Sequence, residues 1–89
     1  MIKETIEITN KLGLHARAAA KLSHLANSFN SNIYLTYSGD QVDAKSLLGI
    51  LTLAASVGNK ITIEVNGKDE KKAMGEIVTL FKAKFNEES

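Results

Sequence analysis

Ile2, Ile6 and Ile8 alternate with polar or charged neighbours, the period-two pattern of a half-buried strand. Asn10 to Gly13 interrupts it. From His15 to about Phe29, apolar residues recur at Ala18, Ala19, Leu22, Leu25, Ala26 and Phe29, which predicts a helix with one apolar stripe. Ile33, Leu35 and Tyr37 alternate again. Ser38-Gly39-Asp40 then predicts a hairpin turn into a short strand around Gln41 to Asp43. Ser46 opens a short apolar helix from Leu47 to about Ala54, and Gly58-Asn59 closes that region. Ile61, Ile63 and Val65 form a third clean alternation. Asn66-Gly67 is a turn, and Asp69 is expected to cap a last helix burying Ala73, Met74, Ile77, Val78, Phe81 and Phe85.

The order is strand, helix, strand, strand, helix, strand, helix. Strands that alternate leave one sheet face wet, and the helical stripes need the other face to cover. The expected fold class is α+β: an open-faced β-sandwich, with a four-stranded antiparallel sheet covered on one side by three helices. Residues 1–89 are read as a single domain, because a chain of this length supports one core.

Composition narrows the function. There are no cysteines, which removes disulfides, thiol catalysis and cysteine-based zinc sites. No apolar run approaches the roughly 20 residues that span a bilayer. Met1 to Asn10 carries Lys3, Glu4 and Glu7 and lacks the apolar stretch of a secretion signal, so a cytoplasmic protein is expected. The net charge of +1 is not that of a dedicated nucleic-acid binder. The expected outward sheet residues Glu4, Tyr34, Thr36, Thr62 and Glu64 form neither a basic nor an aromatic platform. No metal or organic cofactor is expected. His24 lies nine residues after His15, an offset that does not bring two helical imidazoles together as a metal pair.

Gly13-Leu14-His15-Ala16-Arg17-Ala18-Ala19-Ala20 carries the most chemistry. Ser, Thr, Asp or Asn would cap the helix better than His, by about 1 kcal/mol. A protonated ring there would also oppose the helix dipole. Stability gives no reason for the choice, but phosphoryl chemistry does. Neutral imidazole is a nucleophile near neutral pH. The backbone amides of Ala16 and Arg17 can hold phosphoryl oxygens, and the Arg17 guanidinium suits the same oxygens. Gly13 leaves the ring open to approach. Two accounts of the residues stand side by side: a phosphoryl acceptor, or a loop histidine that happens to precede a helix.

The chain resembles the HPr family, the histidine phosphocarriers of the bacterial phosphoenolpyruvate:sugar phosphotransferase system. The resemblance is carried by Leu12-Gly13-Leu14-His15-Ala16-Arg17 and by Asp43-Ala44-Lys45-Ser46-Leu47-Leu48-Gly49, and it covers essentially the whole chain. It implies a carrier and not an enzyme. His15 would accept a phosphoryl group on Nδ1 from phospho-enzyme I and pass it to the enzyme IIA proteins of sugar permeases, with Arg17 stabilising the group. A nitrogen-branch paralogue, with the same histidine chemistry and regulatory partners, is the alternative. The family usually has Pro where this chain has Ala18, which puts the rigidity of the Arg17 backbone in question.

Ser46 reads locally as a helix cap. The resemblance adds a regulatory role: phosphorylation there by a dedicated HPr kinase/phosphorylase, the new charge sitting beside Lys45. The segment Leu47 to Leu53 is apolar nearly all round, so some of Leu47, Leu48 and Leu51 should stay exposed, as at a binding surface. By resemblance the docking face comprises Ala16, Arg17, Ala20, Lys21, His24, Leu47, Leu48, Leu51 and Thr52. Lys21 and Lys45 would add positive charge for acidic partners. A monomer is the default. Two other classes fit the residues less well: a co-repressor acting through Ser46 alone, which His15 argues against, and a small-molecule- or RNA-binding module, which the sheet face argues against.

Overall fold

The computed structural model describes residues 1–87. Strand β1 (Ile2–Glu7) leads through a loop to helix α1 (Ala16–Asn27). Strands β2 (Asn32–Tyr37) and β3 (Asp40–Asp43) form a hairpin, followed by helix α2 (Leu47–Leu53). Strand β4 (Lys60–Asn66) precedes helix α3 (Glu70–Lys82), and a short turn, Lys84–Asn86, ends the ordered elements. The strands lie in the order β1-β4-β2-β3, all antiparallel. This is the open-faced sandwich with three helices expected from the pattern.

The alternation determines which face is covered. Ile33 and Leu35 of β2, and Ile61, Ile63 and Val65 of β4, are fully buried under the helices. Leu22 of α1, Ile50 of α2, and Ile77 and Phe81 of α3 pack onto them in one cluster. Each helix presents one apolar stripe, so a single sheet face suffices for all three. In the hairpin, Ser38 and Gly39 both have positive φ, of 53° and 87°. That is the conformation a tight two-residue loop needs to match the strand twist.

Three expectations need correction. Asp69 occupies the cap position of α3 but makes no side-chain capping bond. Its carboxylate instead accepts from Asn30 N–H at 2.9 Å, from Ser31 N–H at 3.0 Å and from the Ser31 hydroxyl. Those donors lie at the entrance of β2, and they outcompete the local amides. Phe85 is buried as expected, but α3 ends at Lys82 and the left-handed turn Lys84–Asn86 is what returns the ring to the core. Glu4 does not face outward with Thr62 and Glu64. It pairs with Ile63 and so shares the helix-covered side, at the sheet edge, in a groove with Ile6, Val78 and Phe81.

Candidate functional site

The loop between β1 and α1 is fixed before it reaches His15. Gly13 N–H donates to the Asn10 carbonyl at 3.0 Å, and Asn10 Nδ2 donates to the Gly13 carbonyl at 2.6 Å. Leu14 is buried, and its N–H donates to the Ala55 carbonyl at 3.0 Å, which ties the loop to the segment after α2. Gly13 has φ +66°, and a Cβ there would lie 2.6 Å from the Ala55 oxygen. No other residue fits that approach.

His15 is the N-cap of α1, with φ −74° and ψ 177°. Its carbonyl accepts from Ala19 N–H at 2.8 Å, the first helical bond. Its side chain takes the cap role that Ser or Asp usually fills: Nδ1 accepts from Arg17 N–H at 3.2 Å. Nδ1 is therefore unprotonated in this arrangement, and Nε2 bears the ring proton. The ring is part-exposed, with 26% of its side-chain surface accessible. It is not packed in the core, and the Arg17 amide bonds to the ring itself. The acceptor atom thus stands at the positive end of a 12-residue helix.

Ala16 and Arg17 are exposed in the first turn of α1, whereas Ala18 is buried beneath it. Arg17 lies within the helix, so its backbone is held by α1 without the usual proline.

Nε2 meets Glu87, whose carboxylate accepts the ring N–H. Glu87 also accepts from Asn10 Nδ2 at 3.3 Å. Burial raises the carboxyl's proton affinity, but the hydrogen bonds from His15 and Asn10, with the charge of Lys21, outweigh it and hold the pKa below the usual glutamate value. Sequence reasoning read Asn10 only as a break in the strand and did not name Glu87, which lies 72 positions from His15.

Ser46 caps α2, with its hydroxyl accepting from Gly49 N–H at 3.0 Å. It is exposed. Within α2, Ile50 and Leu53 turn inward while Leu48 is 75% exposed and Leu47 40%. Leu51 is half-buried and Thr52 exposed, its hydroxyl turned back to the Gly49 carbonyl. On α1, Ala20 and His24 are exposed. The two expected docking lysines are less free than their charge suggests. Lys21 Nζ donates to the Phe85 carbonyl at 2.6 Å, and Lys45 Nζ to the Phe29 carbonyl at 2.9 Å. Ser23 Oγ and Asn27 Nδ2 both donate to the Lys45 carbonyl, joining α1 to the start of α2. Among the described residues, no group of His, Asp or Glu is arranged to hold a metal, and no helix is long and apolar enough to cross a membrane.

A nucleophilic ring nitrogen at an anion-ready helix end, on an open-faced sandwich, defines a phosphoryl carrier. The comparisons with known proteins agree. The family model described as the PTS HPr component phosphorylation site matches residues 2–83. The chain is 46% identical over 87 residues to the phosphocarrier protein HPr of Cupriavidus necator, covering 98% of each. It is 38% identical over 88 residues to the phosphocarrier protein NPr of Escherichia coli, again covering 98% of each. A crystal structure of HPr-C-His from Thermoanaerobacter tengcongensis superposes with a TM-score of 0.96 at 43% identity over the whole of both chains. A structure described as an HPr dimer from the same organism superposes with a TM-score of 0.79 at 42% identity, over 98% of this chain and 100% of that one. The chain belongs to the HPr family of phosphotransferase-system phosphocarriers, with the HPr reading favoured over the NPr one, and it acts as a carrier and not as an enzyme.

Proposed function

We propose that His15 Nδ1 is the atom that carries the phosphoryl group, received from phospho-enzyme I and donated to the enzyme IIA proteins of sugar permeases. One observation carries this: Nδ1 accepts from Arg17 N–H at the start of α1, so the nucleophile already sits among anion-binding groups. In the transfer, the Nδ1 lone pair forms a P–N bond as the donor's bond to phosphorus breaks, and that electron pair leaves with the donor. The Arg17 N–H, released from Nδ1, and the N–H of Ala16 then face the phosphoryl oxygens, with the Arg17 guanidinium beside them. Donation to IIA is the reverse.

Residues 1–89 act as one domain, in the cytoplasm and as a monomer, without a cofactor. The exposed residues Ala20, His24, Leu47, Leu48 and Thr52, with half-buried Leu51, form the face that meets enzyme I and IIA in turn. Lys21 and Lys45 contribute charge at its margins. Ser46 is a regulatory phosphorylation site for an HPr kinase/phosphorylase: its hydroxyl is exposed, and the added charge would sit at the amide end of α2 and face acidic partners.

Incubation with enzyme I, Mg²⁺ and phosphoenolpyruvate should add one phosphoryl group that is acid-labile and alkali-stable by intact mass. His15→Ala should abolish it while leaving the circular-dichroism spectrum unchanged. Label that survives in that variant overturns the assignment. Transfer to sugar IIA should outpace transfer to nitrogen IIA when the two are assayed side by side. With the kinase and ATP, an acid-stable adduct should form and disappear in Ser46→Ala. Gel filtration should give a monomer's volume.

A further inference from the structure

Lys84, Phe85 and Asn86 have φ of 55°, 55° and 63°, three consecutive non-glycine residues in the left-handed region. Each such residue is in a conformation that a side chain disfavours, so a run of three persists only where its surroundings hold it. Here they do. Phe85 is fully buried, edge-on to Phe81 with ring centroids 4.9 Å apart. Lys21 Nζ grips the Phe85 carbonyl. Asn86 N–H donates to Ala83 O at 2.9 Å and Glu87 N–H to Lys84 O at 3.0 Å. The product of this turn is the placement of one carboxylate. Glu87, with 14% of its side chain exposed, bonds Nε2 of His15 through one oxygen and Asn10 Nδ2 through the other.

We propose that Glu87 is a positioning residue for His15, delivered by the left-handed turn Lys84–Asn86 as a strap across the ring. The proposal rests on the role of His15 given above. An acceptor fixed at Nε2 selects the tautomer that leaves the Nδ1 lone pair free, so it decides which nitrogen takes the phosphoryl group. It also acts after transfer. Phosphorylation at Nδ1 leaves a cationic ring that still bears its Nε2 proton, and the carboxylate pairs with that cation. A ring kept protonated is a better leaving group, so the same contact prepares the onward donation. The charged group bonded to the ring is Glu87, and the charge of Lys21 on α1 acts on that carboxylate in turn.

The test uses the full chain with ¹⁵N-labelled histidine and the variants Glu87→Gln and Glu87→Leu. Long-range ¹H–¹⁵N spectra at neutral pH should show the wild-type His15 as the Nε2–H tautomer. Glu87→Leu should give a mixture of both forms. With enzyme I, each variant should lower kcat about tenfold with KM little changed, the size usual for loss of a group that orients an imidazole. The hydrolysis of phosphorylated Glu87→Gln should lose its wild-type pH profile, the fall in rate with rising pH beginning earlier. In His15→Ala, the Glu87 carboxyl should titrate higher than in the wild type. A purely structural role would lower the Tm without moving the tautomer or the pH profile. An unchanged tautomer and kcat in Glu87→Leu overturn the proposal while leaving His15 as the carrier. A wild type that takes no phosphoryl group overturns the carrier reading instead.

Discussion

At Gly13 two constraints meet on one residue. The backbone is left-handed, and the Ala55 carbonyl stands where a side chain would begin. Gly13→Ala should therefore cost about 1–3 kcal/mol, from strain and from the displaced bond between Leu14 N–H and Ala55 O. Thermal unfolding should report the loss, and phosphorylation by enzyme I should slow because the same loop seats His15. The sequence motivates this glycine by the open approach to the ring, but the tighter constraint lies on the other side, against a segment distant in sequence. His15 and Arg17 were legible because their contact spans two residues and repeats the geometry of any helix cap. Glu87 was not. No local signal marks three left-handed non-glycine residues, since a bias of 1–2 kcal/mol each, roughly, favours the opposite conformation. The burial of Phe85 and the bond from Lys21 to its carbonyl reverse it.

The elements followed the hydrophobic period, and their ends followed it less well. His15 and Ser46 cap their helices through their own side chains, as local chemistry predicts. Asp69 stands at the start of α3 but serves as a clamp on the turn into β2. Gly67 makes the clamp reachable, because a Cβ there would lie 2.6 Å from Ser31 Cα. The Ser31 hydroxyl, first, and the Asn30 amide hold the Asp69 carboxyl below its usual 3.8, against a smaller opposing effect of burial. A carboxyl whose folded pKa is depressed stabilises the fold fully above its unfolded pKa and loses that contribution as pH falls through the folded value. Asp69→Asn should thus lower the Tm at neutral pH. The gap from wild type should narrow as pH drops below about 4, where the unfolded chain begins to bind the proton, and close below the depressed folded value. Thermal melts across that range check it, and a gap independent of pH would mean the clamp does not depend on charge. Glu70 behaves alike, held low by Gly67 N–H and by the N-terminal ammonium 3.1 Å away.

Across the whole molecule, one face of the sheet is covered and both α1 and α2 carry exposed residues on their outer sides. Helix α2 divides its leucines between the two demands. Ile50 and Leu53 join the core, whereas Leu48 gains little by folding because it stays exposed. Leu48→Glu should change stability by no more than about 0.5 kcal/mol, the usual range for surface substitutions. It should raise KM for enzyme I severalfold if the patch docks partners, and steady-state phosphotransfer measures that directly. The fold was legible from alternation because period two and period 3.6 decide which residues seek a common interior, and a seven-element chain of this length has few ways to bury three helical stripes. The nucleophile and its anion-binding amides were legible for the same reason of locality. Tertiary structure alone decided the rest: the clamp from Asp69 to Ser31, the inward side of Glu4, the Gly13 contact with Ala55, and the carboxylate of Glu87 on Nε2. Each joins segments far apart in the chain. Such contacts form only once the core has fixed where the loops and the terminus emerge, and no residue pattern within either partner encodes that distance.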